Sequence, residues 1–113
     1  MKKPETIAAM TRTAKKYHRA GVDALAGNQP EDAVRALRLA VELDPELALA
    51  WNDLGVVMDA LGNAHEAIRC YKRALALRPA SVEARSNLGM LTLQMEMAQV
   101  LRRQAFMSRA AVG

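Results

Sequence analysis

The chain has 113 residues, of which 51% are apolar and only 4% aromatic, with a single cysteine and a formal net charge of +4. The apolar share is mostly Ala, Leu, Val and Met, enough for one helical core, and it excludes the sandwiches and barrels that need strands rich in aromatic and β-branched residues. The lone Cys70 excludes an internal disulfide framework, which points to a cytoplasmic redox setting, and without a Cys and His cluster a structural zinc site is excluded as well.

The first predicted helix covers residues 5 to 26, where Ile7, Met10, Ala14, Tyr17 and Gly21 keep to one face. Residues 1 to 20 are basic: Lys2, Lys3, Arg12, Lys15, Lys16 and Arg19 stand against Glu5. The opening dozen residues lack the apolar run of an export signal, and no stretch of the chain approaches the ~18 apolar residues that cross a bilayer, so neither export nor membrane insertion is expected. Gly27 and Asn28 end the first helix and Pro30 opens the next, predicted over 30 to 43 and stopped by Pro45. A third helix over 48 to 61 ends at Gly62 and Asn63. The fourth, over 64 to 77, stops before Pro79, and a fifth begins at Val82 and reaches about 95.

This order repeats. Shifting the chain by 34 residues aligns 14 to 47 with 48 to 81 at nine identities, where about two or three are expected at ordinary residue frequencies. Gly21 pairs with Gly55, Val22 with Val56, Ala33 with Ala67, Ala40 with Ala74, Leu43 with Leu77 and Pro45 with Pro79, while Tyr17 matches Trp51 and Leu37 matches Tyr71. A partial third copy places Ala84, Leu88, Gly89 and Met90 beyond Ala50, Leu54, Gly55 and Val56. Glycine inside a helix costs about 1 kcal/mol relative to alanine, so three at one spacing call for a compensating close approach of helices. The small Ala33, Ala40, Ala67 and Ala74 allow that approach, with Tyr17, Trp51, Leu37 and Tyr71 expected to fill the space between helix pairs.

Trp51, Leu54, Gly55, Met58, Ala67, Tyr71 and Pro79 together resemble the tetratricopeptide repeat pattern. The resemblance covers 14 to 81 and enters the third copy. It implies an all-α, right-handed solenoid of antiparallel helix pairs with a concave groove: one domain over 1 to 113, with two full repeats (14 to 47 and 48 to 81), a degenerate third with a capping helix (82 to 110) and a helical extension (1 to 13).

The third copy departs from this pattern. Aligning Ala67 and Ala74 with Ala98 and Ala105 needs an offset of 31, so three residues have gone from the place where Leu61, Gly62 and Asn63 make the turn. Either a tight turn survives near Met95 or the fifth helix runs on as one rod. The Ala98 and Ala105 spacing favours the turn, with residues 96 to 110 packed on the fourth helix through Leu101, Ala105 and Phe106.

No catalytic constellation, metal site or cofactor site is expected. His18 and His65 lie in different repeats, the glycines do not match a phosphate-cradling loop, and Cys70 beside Tyr71 reads as a packing residue. Met90, Met95, Met97 and Met107 near the chain end read as filling under a cap or as a self-association surface, with Arg102, Arg103 and Arg109 on its solvated face.

In the fold that the resemblance implies, the first helix of each pair lines the groove. Val22, Val56 and Met90 form an apolar row, flanked by Arg19, Asp53 and Asn87 and by His18, Asn52 and Ser86, with Lys15 and Glu83 toward the ends. One family branch grips the C-terminal carboxylate of heat-shock chaperones with two lysines, two asparagines and an arginine. This chain has His18, Val22, Asp53, Glu83 and Asn87 there, and Asp53 with Glu83 would repel a carboxylate. The expected function is a non-enzymatic adaptor holding a peptide or helix of a partner protein, with a homo-oligomer through the C-terminal segment as the alternative. Nucleic acid is not an expected partner, because the basic residues of the first helix lack interleaved aromatics.

Overall fold

A computed structural model describes residues 3–112 as five helices: α1 (Pro4–Ala26), α2 (Pro30–Leu43), α3 (Ala48–Ala60), α4 (Ala64–Leu77) and α5 (Val82–Val112). The particle is elongated, 68 × 29 × 25 Å. Helices α1 and α2 form one antiparallel pair and α3 and α4 a second, with α2 packed on α3 and α4 on α5. On one side α1 touches α3 and α3 touches α5, whereas α2 and α4 stand apart on the other. An ion pair between Arg38 and Glu66 at 2.7 Å spans that wider side. Unequal spacing on the two sides curves the stack, and α1, α3 and the first half of α5 line its inner face.

The close approach expected at the glycines occurs at two of the three. A Cβ on Gly21 would lie 2.6 Å from Leu37 Cγ, and one on Gly55 would lie 2.5 Å from Tyr71 Cε1. Leu37 and Tyr71 are fully buried, so they fill their own pair against its glycine rather than the space between pairs. Trp51 does bridge pairs: it packs at the core edge beside α2, and its Nε1 donates to Pro45 O at 2.8 Å. At Gly89 the expectation fails, since nothing lies within 4 Å of a Cβ there.

Repeat-sized spacing also governs the turns. After α1 the left-handed residue is Asn28 (φ 58°) rather than Gly27, and after α3 it is Gly62 (φ 84°), so two residue types that tolerate positive φ stand 34 apart. Helices α2 and α4 stop before Pro45 and Pro79, with the Asp44 and Arg78 N–H groups closing the last turns on Ala40 O and Ala74 O. Ser81 caps α5 by accepting from the Ala84 N–H at 3.2 Å.

The expected turn near Met95 does not form. Thirty-four residues after Gly62 stands Glu96, a good helix former with no tolerance for positive φ, in the run Met95, Glu96, Met97. Helix α5 therefore continues without a break for 31 residues, about 46 Å, alongside the 14 residues of α4, about 21 Å. Its first half buries Ala84 and Leu91 and packs Leu88 and Met95 on the core. Residues 99–112 outrun α4 and are exposed throughout. The expected packing through Leu101 and Phe106 is absent, since they are 61% and 68% exposed.

Candidate functional site: the concave face

Two side-chain bonds cross the inner face from one repeat to the next. His18 Nε2 on α1 lies 2.6 Å from Asp53 Oδ2 on α3, and Asn87 Nδ2 on α5 donates to Asn52 Oδ1 on α3 at 3.1 Å. Both links span 35 residues rather than 34, so each ties a residue of one row to the neighbouring row of the next repeat. The equivalent places on successive first helices are thus joined diagonally, and the inner edge of the stack is stapled once at each step.

These bonds divide the residues that the sequence brought forward. His18, Asp53 and Asn87 are half-buried, and Asn52 is only 4% exposed. Asn52 is therefore turned into the seam between α3 and α5 instead of being free for a guest backbone, and its removal would strip a buried acceptor from Asn87. Val56 is half-buried against the core. Lys15, Arg19, Val22, Glu83 and Met90 are exposed, which leaves a surface of alternating charge and apolar contact. Lys15 and Arg19 share a depression on α1 with Arg12, Lys16, Ala20 and Asp23, and Glu83 stands at the far end on α5. Lys2 lies outside the described residues.

Cys70 is buried on α4. Burial, and then the nearby Glu66 carboxylate, push its thiol up to about 11, so it stays protonated and unreactive at neutral pH. Burial likewise raises the Tyr71 hydroxyl to about 12, with Asp59 adding to the rise. Among the described residues no group of three or more His, Cys, Asp or Glu side chains could hold a metal ion, and no helix is long and apolar enough to cross a membrane.

Comparison with known proteins adds to this geometry. A family model described as tetratricopeptide repeat matches residues 18–64, and one described as TPR repeat matches 60–95. The chain belongs to the tetratricopeptide repeat family. Among curated relatives are the peroxisomal targeting signal receptors of Kluyveromyces lactis, 38% identical over 60 residues, and Saccharomyces cerevisiae, 39% identical over 54 residues. These alignments take in 53% and 48% of this chain but span only 11% and 9% of the receptors. Of solved structures, MamA superposes with a TM-score of 0.73 at 25% identity, covering 77% of this chain and 50% of that one. The first tetratricopeptide domain of Spaghetti (RPAP3), solved with the HSP90 peptide SRMEEVD, superposes at 0.65 with 17% identity over 83% of this chain and 96% of its own, and shares the fold.

Sequence reasoning found the inner rows by their 34-residue period, but it missed the diagonal pairing. A period marks equivalent places, whereas two stacked repeats are offset, so the side chain that faces Asn52 is the one beside its equivalent. The signal was present in the row compositions: His18 with Asp53, and Asn52 with Asn87, are complementary pairs only when read at 35.

Proposed function

We propose that this tetratricopeptide domain is a non-enzymatic interaction module whose concave face holds a partly apolar segment of a partner protein, with the acidic end of that segment on α1. The observation that carries this reading is the division of the inner face. His18, Asp53, Asn52 and Asn87 are engaged with one another, while Lys15, Arg19, Val22 and Met90 project outward. The apolar members supply buried area on contact, and the basic patch beside them sets direction. Family membership and the likeness to peroxisomal targeting signal receptors support a protein partner. The HSP90 peptide of the Spaghetti complex is strongly acidic toward its end. Gripping such a terminus deep in the groove is disfavoured here by Asp53 and Glu83, so the acidic portion of a guest is placed on the α1 patch instead.

Selection of a displayed random peptide library on the immobilised chain tests this. Peptides that combine apolar residues with one acidic end should be enriched, and Arg19→Glu with Val22→Asp should weaken the best of them by tenfold or more without changing the melting temperature. Both changes fall on exposed positions of α1. No enrichment, or unchanged affinity in the double variant, overturns the reading.

A further inference from the structure

Helix α5 carries a second apolar surface that shares only Met90 with the groove. Met90, Leu93, Met97, Val100, Gln104, Met107 and Ala111 recur at alternating steps of three and four, the a and d spacing by which one helix seats against another. Met90, Leu93, Met97, Val100 and Met107 are each more than half exposed. Ala84 and Leu91, buried against the rest of the molecule, lie on the opposite side of the helix, so none of the described residues covers the stripe. Gly89 lies along its edge. Its counterparts Gly21 and Gly55 each receive a partner helix, yet Gly89 has open space where that helix would be. The last 14 residues of α5 have no packing of their own, and helices of that length are marginal without it.

We propose that the occupant is a second copy of this chain, with two α5 helices pairing antiparallel about a two-fold axis near residues 98 and 99. Charge and size select this register. Setting Met97 against Val100 of the other copy also sets Met90 against Met107 and Leu93 against Gln104. The flanking positions then bring Glu96 opposite Arg103 and Gly89 opposite Ala110, each twice by symmetry. Opposite charges meet at the centre, and the vacant place over Gly89 receives the small Ala110 on a closely approaching helix. A parallel pairing would instead face Glu96 with Leu101 and Arg103 with Ser108, and would stack Gln104 on itself. The interface takes Met90 from the concave face but leaves the α1 patch free, so the acidic end of a peptide and a second copy can be held together.

Sedimentation equilibrium of the full chain tests the pairing. The expected result is a concentration-dependent mass approaching twice the monomer. Met97→Lys should give a monomer in which any loss of helix is confined to residues 99–112. Glu96→Arg and Arg103→Glu should each weaken association by about tenfold, in line with exposed ion pairs made twice, and the double reversal should restore it. A monomer at every concentration, a dimer indifferent to Met97→Lys, or a double reversal that fails to restore association would each overturn the proposal.

Discussion

Gly55 and Gly89 occupy the same place in successive repeats, but one lies under the ring of Tyr71 and the other faces open space. Between them the molecule changes character. Through α4 the helix-interior glycines Gly21 and Gly55 each meet a neighbouring helix, a left-handed residue follows each first helix, and the core from Ala33 to Tyr71 is close to fully buried. Beyond Ala98 the composition is still that of a repeat, yet no second helix returns and the side chains are exposed. Repeat chemistry therefore does not make a helix pair unless the turn is present to send the chain back.

The largest effect that can break this contrast is at Gly55. Gly55→Leu should cost about 3 kcal/mol or more, because a branched side chain must displace the buried Tyr71 ring. An unchanged denaturation midpoint would refute the close-contact argument. Next in size, Asn52→Ala should cost about 1 to 3 kcal/mol by denaturant titration, since it leaves Asn87 without its buried acceptor, and Asn87→Ala should cost less because that side chain is nearer solvent. Full stability in Asn52→Ala would show that the seam is held by packing alone.

Gly89→Ala is the counterpart of Gly55→Leu and carries the opposite sign. With nothing near its Cβ, it should stabilise a monomeric background such as Met97→Lys by about 0.5 to 1 kcal/mol. A loss of stability there would mean that Gly89 is already covered. Amide exchange sharpens the comparison along α5 in that same background, with protection expected over 82–98 and much faster exchange over 99–112. The smallest effect is in pH. The folded thiol of Cys70 titrates near 11 against 9.0 when unfolded. Between those values the folded state holds the extra proton, so its stabilisation is complete below pH 9 and declines as pH rises toward 11. Tyr71 extends the decline from 10.0 toward about 12. Thermal melts across pH 8 to 11 should therefore fall, and less steeply in Cys70→Ala.

Four helices were legible almost to the residue, because Pro30, Pro45, Pro79 and the Asn28 and Gly62 turns act locally. The fifth was not, for the same reason. The Ala98 and Ala105 spacing suggested a packed helix, but spacing describes which face could be buried and not whether a partner is there. Glu96 in the place of Gly62 was the better guide, since a backbone that will not enter positive φ cannot turn. At the inner face the rows were legible from the period, whereas the burial of Asn52 depended on how far one repeat is displaced from the next, which the period does not specify.

The two diagonal bonds also give the stack a direction of mechanical resistance. Flattening the curve lengthens the line from α1 through α3 to α5, and it must part His18 from Asp53 and Asn52 from Asn87 before the helix pairs themselves yield. Tightening the curve instead presses those bonds together and meets the side chains behind them. The stack therefore resists flattening through its polar staples and tightening through the side chains behind them.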